Sequence, residues 1–146
     1  MAAKTRPDVE LLAEIGRIDR LVTSGLERSL PFGLSAAAFE VLAHFAQGHS
    51  ASSPLALAEA LRVGKSAMTH TLQRLEAQGL IGLAADPADG RRKIVTLTAQ
   101  GAEVQRAAIA AARPRLEALR RAFDESEFEA ALPFLRRLGD WLDGHH

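Results

Sequence analysis

The sequence predicts a mainly α-helical fold that contains one small two-stranded β-hairpin. Apolar residues recur at three- and four-residue steps near both ends of the chain, a pattern typical of amphipathic helices. Between these ends, a helix, a tight turn and a second helix follow within about 25 residues. A turn containing Pro and Gly then joins two runs of strand-forming residues. These patterns place a helix-turn-helix unit with a hairpin between terminal helices.

The charges of the chain balance overall but not locally. The 146 residues contain 18 Lys and Arg against 18 Asp and Glu, so the formal net charge is zero. Residues 62–93 nevertheless carry six Lys and Arg against three Asp and Glu, which gives this segment a net charge of +3. A role in binding nucleic acid therefore depends on this basic segment and not on the total charge.

The composition excludes several classes of function. The chain contains no Cys, which removes disulfides, thiolate nucleophiles and Cys-ligated zinc. The N-terminal residues lack the apolar stretch of a signal peptide, and no segment approaches the roughly 20 apolar residues of a membrane span. We therefore expect a cytoplasmic protein with no membrane partner.

The first third of the chain predicts two helices. Apolar residues from Val9 to Leu30 share one face of an amphipathic helix, and the residues PFG at 31–33 end it. Ser35 is a suitable N-cap for a second helix, because its side-chain oxygen can accept a hydrogen bond from an unpaired N–H of the first turn. Gly48 marks the end of that helix.

The next two helices make up the helix-turn-helix unit. Pro54 fits the first turn of the third helix, where its missing N–H leaves no hydrogen bond unmade. The residues RVGK then break the helix, and Gly64 is expected to take a positive φ. Ser66 is expected to cap the fourth helix, which Gly79 closes.

A hairpin and two long helices complete the predicted order. The hairpin consists of LIGLAAD, the turn PADG and RRKIVTLT. Thr98 is a candidate cap of the fifth helix, which Pro114 is expected to kink or divide because its ring removes one backbone donor. The residues SEFE at 126–129 fit a capping box at the start of the last helix. The apolar face of that helix consists of Phe128, Leu132, Leu135, Leu138 and Leu142.

These elements divide the chain into three predicted parts. Residues 1–34 form the N-terminal helix, residues 35–98 a winged helix-turn-helix domain, and residues 99–146 the C-terminal helices. The apolar faces of the first and last helices are longer than one small winged domain can cover. We therefore expect both ends of the chain to serve in dimerisation, with packing inside a single chain as the alternative.

Several spaced motifs in the middle of the chain agree with the pattern of one family. They are LAEAL, a Ser–x–x–Thr–x–x–Leu–x–x–Leu–Glu run, GLI, an Asp–x–Arg in the hairpin turn, and LT with a Gly three residues after its Thr. Through them the chain resembles the MarR family of bacterial transcriptional regulators over essentially its whole length. One departure is Gly90, where many relatives carry another Arg, which leaves the tip of this wing with one cation fewer.

The fourth helix, over 66–78, has one face suited to the major groove of DNA. Met68, Leu72 and Leu75 fall at i, i+4 and i+7 and are expected to face the core, which turns polar and basic side chains outward. In the major groove, Gln pairs with adenine, and Arg or Lys with guanine. The predicted contacts are Lys65, Ser66, Thr69, His70, Gln73 and Arg74. A solvated helix face is the alternative interpretation.

The wing, residues 86–93, is expected to reach the adjacent minor groove, whose negative potential attracts Arg. By resemblance, Arg91 is the inserted residue, and Arg92 and Lys93 are the cations that neutralise phosphates. Asp89 is expected to hold the Arg91 side chain extended, because a carboxylate and a guanidinium pair with defined geometry. A solvated charged turn is the alternative.

The resemblance also implies partners. Terminal helices would form a two-fold homodimer, and its double-stranded DNA operator would be an inverted repeat with half-sites about 10 bp apart or a multiple of that. A small aromatic or anionic ligand would bind between the dimer helices and the DNA-binding lobe. The candidate residues there are Arg17, for a carboxylate, with His44 and Phe45.

Other site chemistries have little support in the sequence. No pair of His lies at i, i+4 with a carboxylate in register, so neither His44 nor His49 is expected to bind a metal. Trp141 and the six Phe are expected to serve in core or dimer packing. No catalytic or cofactor-binding motif is present, so we expect no cofactor and no enzymatic activity.

The combined prediction is a dimeric, sequence-specific DNA-binding transcriptional regulator that acts as a ligand-responsive repressor. One alternative is a helical dimer that binds a small molecule or a protein partner and has little DNA function. A weaker alternative is a metal sensor, whose melting temperature would respond to a chelator.

Overall fold

The computed structural model describes residue 4, residues 6–48 and residues 51–145. Its helices are α1 (Pro7–Ser29), α2 (Ala36–Phe45), α3 (Pro54–Leu61), α4 (Lys65–Ala77), α5 (Ala99–Ala122) and α6 (Glu125–Gly144), with a 3₁₀ turn at Pro31–Gly33. Its strands are β1 (Ala51–Ser52), β2 (Ile81–Ala85) and β3 (Lys93–Leu97). The mainly helical fold with a small wing is therefore confirmed.

The three strands form one antiparallel sheet in the order β1-β3-β2. Leu83 of β2 lies opposite Val95 of β3, as the predicted hairpin requires, and Ala51 of β1 pairs with Thr96 on the other side of β3. The sequence analysis missed β1, because two small residues carry neither a period-2 pattern nor a strong preference for strands.

The chain divides into two compact units, Met1–Ala112 and Arg113–His146. The core of the first unit is built by α2, α3, α4 and the sheet. Its largest fully buried side chains are Val41, Leu42, Leu57, Leu72, Leu75 and Val95. Each contributes about 1.5–3 kcal/mol through removal of apolar surface from water. Among the described residues, the polar side chain of Gln105 in α5 is also buried, and its Nε2 donates to the Leu42 carbonyl oxygen at 2.7 Å.

Several predicted helix ends are confirmed. The Ser35 hydroxyl oxygen accepts a hydrogen bond from Ala38 N at 3.1 Å, and the Thr98 hydroxyl oxygen accepts one from Gly101 N at 2.9 Å. Gly48 and Gly79 take φ values of 95° and 75° after α2 and α4. In this left-handed region a Gly carries no steric penalty, which makes it a common helix terminator.

The predicted turn between α3 and α4 is wrong in detail. Arg62, not Gly64, takes the left-handed conformation, with φ 54° and ψ 49°, as the C-cap of α3. Gly64 is instead the extended N-cap of α4, so the helix begins at Lys65 and Ser66 lies inside its first turn. Ser66 therefore does not cap the helix, because the chain turns two residues earlier than the position of the glycine suggests.

Two predictions for the C-terminal helices also need correction. The capping box starts at Asp124, where the backbone N–H donates to Glu127 Oε2 at 3.0 Å, and not at Ser126. Both positions fit the same four-residue pattern, so the sequence alone did not separate them. Pro114 does not divide the helix, because α5 runs from Ala99 to Ala122 without interruption, whereas the kink given as the other possibility stays a prediction.

The second unit has little buried surface of its own. Within it, the rings of Phe123 and Phe128 meet edge to face at 6.2 Å, and the Arg137 guanidinium carbon lies 5.6 Å from the centre of the Phe134 ring. Trp141 keeps 58% of its surface exposed. Across the described residues, none of the helices is both long and apolar enough to cross a membrane.

Candidate nucleic-acid interface

Helix α4 separates a buried face from an exposed one. Met68 and Leu72 each have 2% of their surface exposed to solvent, and Leu75 has none, as the i, i+4, i+7 pattern predicts. The polar and basic residues predicted to contact DNA are all exposed: Lys65, Ser66, Thr69, His70, Gln73 and Arg74. The exposed set spans successive turns of one helix, so its side chains point to the same side of the domain.

The exposed face has the dimensions that major-groove reading requires. A helix rises about 1.5 Å per residue, so Ser66 and Gln73 lie about 10 Å apart along the axis. Successive bases of one strand are about 3.4 Å apart, so this length corresponds to about three base pairs. The groove is about 12 Å wide and admits one helix.

The C-terminal end of α4 is held against the start of α5. The Thr98 hydroxyl donates to the Gly79 carbonyl oxygen at 2.7 Å, and Thr98 N donates to the Leu80 carbonyl oxygen at 3.1 Å. Gly101 lies so close to Leu80 that an added Cβ would be 1.9 Å from that oxygen. The Thr–x–x–Gly motif therefore positions α4, a role that its spacing did not reveal.

The wing loop, residues 86–92, is fixed by its own backbone. Asp86 N donates to the Arg92 carbonyl oxygen at 2.9 Å, and Arg92 N donates to the Asp89 carbonyl oxygen at 3.0 Å. The Asp86 carboxylate also accepts from Ala88 N at 2.9 Å. Arg91 lies at the tip of this closed loop and is exposed, as are Arg92 and Lys93.

Asp89 contacts both arginines of the loop, but through different groups from those expected. Its Oδ1 accepts a hydrogen bond from the backbone N–H of Arg91 at 3.1 Å. Its Oδ2 lies 3.9 Å from Nε of Arg92. The carboxylate thus fixes the backbone from which the Arg91 side chain projects and pairs with the neighbouring guanidinium.

The three candidate ligand residues lie in different local environments. Arg17 is exposed and its Nη2 donates to Glu14 Oε2 at 2.9 Å, an interaction that raises the pKa of Arg17. Phe45 is a core residue with 6% of its surface exposed, and the half-buried His44 ring meets it edge to face at 6.0 Å. Glu14 thus gives Arg17 a carboxylate partner within the chain, and the assignment of these three residues to a ligand site stays a prediction.

No metal-binding cluster occurs in the part of the chain that the structure describes. Within that part, no group of three or more His, Asp or Glu side chains is arranged to hold an ion. His49, one of the two histidines considered as ligands, lies outside the described residues.

Comparison with known proteins points to the same family as the motifs. Residues 32–92 match the model of the MarR family. NicR of Pseudomonas putida, an HTH-type transcriptional repressor, is 35% identical over 92 residues, which are 63% of this chain and 58% of NicR. The chain thus spans somewhat more than half the length of this curated relative.

Two solved structures share the fold across nearly the whole chain. BpsR of Bordetella bronchiseptica, whose DNA binding is regulated by 6-hydroxynicotinic acid, has a TM-score of 0.79 at 22% identity and covers 94% of this chain and 99% of its own. The PcaV transcriptional regulator of Streptomyces coelicolor, solved with its natural ligand, has a TM-score of 0.79 at 22% identity, with 96% and 98% covered. At this identity the similarity shows the fold alone.

Proposed function

We propose that this chain, whose residues 32–92 match the model of the MarR family, is a member of that family and a dimeric, sequence-specific DNA-binding transcriptional regulator that acts as a ligand-responsive repressor. The exposed polar face of α4, beside a basic loop with a fixed backbone, is the observation that carries the proposal. The protein would work in the cytoplasm, where its operator lies, and would catalyse no reaction.

In this proposal α4 reads bases and the wing holds the backbone of the duplex. Gln73 is suited to adenine and Arg74 to guanine, while the Thr69 methyl group can contact thymine. Arg91 would enter the minor groove, where the negative potential is greatest, and Arg92 and Lys93 would neutralise phosphates. Asp89 would orient the tip by holding the backbone N–H of Arg91.

Homodimerisation is supported by the apolar surface that the chain leaves exposed. In α1, the exposed fractions are 49% for Leu12, 52% for Ile18, 56% for Leu21 and 59% for Val22. In α6, Leu132, Leu135 and Leu142 are exposed by 41–44%. Several large apolar side chains exposed on one helix are typical of a protein interface. A second copy of the chain would cover it and would present two α4 helices to an inverted repeat.

Regulation by a ligand is supported by two proteins of the same fold. The DNA binding of BpsR is regulated by 6-hydroxynicotinic acid, and PcaV binds a natural ligand. A small aromatic ligand would act here only if it binds more tightly to one arrangement of the DNA-binding lobes than to another.

The test is a titration of the purified protein with DNA from its own upstream region and with a scrambled duplex, each at several salt concentrations. We expect tighter binding to the upstream DNA and a log–log salt slope of several units, because each phosphate contact releases counterions. Equal and weak binding to both duplexes would contradict the proposal.

Charge reversal in the wing separates this function from that of a helical dimer with little DNA function. Arg91→Glu combined with Arg92→Glu should abolish binding to the upstream DNA. The matched control, Lys4→Glu with Arg6→Glu just before α1, changes the net charge equally and should leave most of the affinity. If the wing variant keeps its DNA affinity, the helical body carries the function instead.

A further inference from the structure

Gln105 is the polar member of the face of α5 that packs into the core. Its side chain is 8% exposed, and its Nε2 donates to the Leu42 carbonyl oxygen of α2 at 2.7 Å. A buried amide costs free energy unless it is hydrogen-bonded, so the presence of Gln here needs a reason besides packing. The buried positions of α5 are Gly101, Val104, Gln105, Ala108 and Ala112.

A second attachment holds the residue before α5. The Thr98 hydroxyl donates to the Gly79 carbonyl oxygen at 2.7 Å, and Thr98 N donates to the Leu80 carbonyl oxygen at 3.1 Å. Thr98 and Gln105 are seven residues apart, which corresponds to about 10 Å along a helix axis. One attachment alone would let α5 pivot against its neighbours, whereas two separated attachments fix its angle.

Both attachments lead to the helix proposed to read DNA. Gly79 and Leu80 follow α4 closely, and Leu42 of α2 lies in the same core cluster as Leu75 of α4. A close-packed core transmits displacement from one helix to the next, so α2 and α4 move together. The hydrogen bond of Gln105 therefore fixes the angle between α5 and α4.

A hydrogen bond fixes this angle better than apolar packing does. The neighbouring buried side chains of α5, Val104, Ala108 and Ala112, are small and apolar. The attraction between apolar surfaces has no preferred direction, so such surfaces can slide over one another. A hydrogen bond weakens steeply as its angle becomes less linear, so the bond from Gln105 to Leu42 opposes a rotation of α5.

We propose that Gln105 is a positioning residue that determines which spacing of two half-sites the dimer accepts. This role rests on the proposed function, in which residues 99–146 serve in dimerisation and each protomer presents one α4 to a half-site. The angle between α5 and α4 then sets the distance between the two α4 helices. One extra base pair moves the half-sites apart by about 3.4 Å and rotates them by about a tenth of a turn. Helices held at a fixed angle accept one spacing, and helices free to pivot accept several.

The test uses Gln105→Met, which keeps an unbranched side chain of similar length and removes the hydrogen-bond donor. Its matched control is Gln100→Met, because Gln100 is an exposed residue of the same helix. The chain contains no Cys, so one introduced cysteine is enough to attach a spin label at a single position. Glu76→Cys places that label on an exposed position of α4.

The first readout is the distance between the two labels of the dimer, measured by pulsed electron paramagnetic resonance without DNA. We expect one narrow distance distribution for the protein with Gln105 and for Gln100→Met, and a distribution at least twice as wide for Gln105→Met. Only dimers contribute a distance between labels, so unfolded monomers do not produce this result. A wide distribution with Gln105 in place, or an equally narrow one for Gln105→Met, overturns the inference.

The second readout is the preference for one spacing. Selection from a random duplex library with the unsubstituted protein identifies the half-site and its spacing, and duplexes with one base pair added or removed between half-sites are then titrated. We expect the unsubstituted protein and Gln100→Met to lose affinity about tenfold or more on either change, and Gln105→Met to lose less than about threefold. If Gln105→Met weakens binding to all three duplexes by the same factor, Gln105 only stabilises the fold and the inference is wrong.

The two readouts separate the role of Gln105 from the proposed function. If the label distances change as expected but the selection recovers no shared sequence, Gln105 positions α4 and the DNA-binding function is wrong. If the selection recovers half-sites at one spacing and Gln105→Met keeps both the narrow distribution and that spacing, only the role of Gln105 is wrong. No distance between labels in the protein with Gln105 would contradict the dimer and with it both proposals.

Discussion

At the scale of single residues, Asp89 is an acidic group on a surface that is proposed to bind DNA, which is itself an anion. A carboxylate near DNA repels phosphate, yet this one accepts a hydrogen bond from Arg91 N and lies 3.9 Å from Arg92 Nε. It thereby restricts the loop that carries both cations. An ordered loop loses less conformational freedom on entering the groove than a flexible loop would, and this smaller cost offsets the repulsion.

Replacement of Asp89 tests which effect prevails. Asp89→Ala removes a negative charge, but we expect affinity for the upstream DNA to fall roughly three- to tenfold because the loop loses one hydrogen bond and one charge pair. Fluorescence anisotropy measures the change. The control is Glu76→Ala, which removes an exposed charge from α4 and should leave the affinity unchanged or slightly higher. Tighter binding by Asp89→Ala would show that the carboxylate only repels DNA.

Gly101 gives a second prediction, for stability. An added Cβ would lie 1.9 Å from the Leu80 carbonyl oxygen, a backbone atom that cannot move away easily. We expect Gly101→Ala to lower the free energy of unfolding by about 1–3 kcal/mol, the usual penalty of overpacking. Thermal or urea unfolding measures it.

The matched control for Gly101 is Gly16 of α1. An added Cβ there meets only the mobile end of Arg20, at 3.4 Å. Gly16→Ala should therefore raise the stability by about 0.5–1 kcal/mol, the ordinary gain of Ala over Gly inside a helix. Equal effects of the two substitutions would mean that α5 shifts without cost.

Three predicted helix caps show why some predictions for single residues were confirmed and others were wrong. Ser35 and Thr98 cap their helices as expected, because each is the last residue before a clear apolar period. Ser66 does not, because the turn before α4 is set by Arg62 in a left-handed conformation, which its residue type does not favour. Tertiary packing therefore determines which residue takes the left-handed conformation there.

At the scale of elements, α4 could be predicted from the sequence and the wing only in part. The period of Met68, Leu72 and Leu75 identified the buried face of α4, and hence the exposed one. The hairpin was predicted from its turn residues, but β1 was not, since its pairing with β3 joins parts of the chain about 44 positions apart. The hydrogen bonds inside the wing loop likewise depend on its closed shape.

The tip of the wing offers a prediction of gained affinity. An added Cβ at Gly90 meets nothing within 4 Å, so a larger side chain fits without displacing the loop. Gly90→Arg should steepen the log–log salt slope by about one unit and tighten binding to any duplex, because it adds one phosphate contact. Gly90→Ser is the control for backbone stiffening. The same slope for both variants would mean that the tip does not reach the DNA.

At the scale of the whole molecule, the exposed apolar residues of α1 and α6 support the proposed dimer. The sequence predicted the stripes from their period, and their exposure in the single chain fits that interpretation. A cavity of about 460 Å³ that is lined by Phe32, Gln78 and Glu103 could not be predicted in this way. Its walls come from three distant stretches of sequence, around residues 32, 78 and 103, and only the folded chain brings these together.

The dimer proposal is tested with one buried charge. Val22→Glu on the α1 stripe should raise the dimer dissociation constant by about 100-fold or more, because an unpaired carboxylate resists burial. Sedimentation velocity measures it. The control is Leu55→Glu on α3, which has a similar exposure of 50% and lies off the stripe. Two variants that both remain dimeric would place the interface outside α1.

In helix α4 the residues that stabilise the fold and the residues that face solvent are different positions, and this separation has a consequence for evolution. A mutation on the exposed face leaves Met68, Leu72 and Leu75 in place and therefore leaves stability nearly unchanged. After gene duplication, one copy can accumulate such mutations and acquire a new operator while the protein still folds. The same separation lets a laboratory library randomise the exposed positions without first adding stabilising mutations.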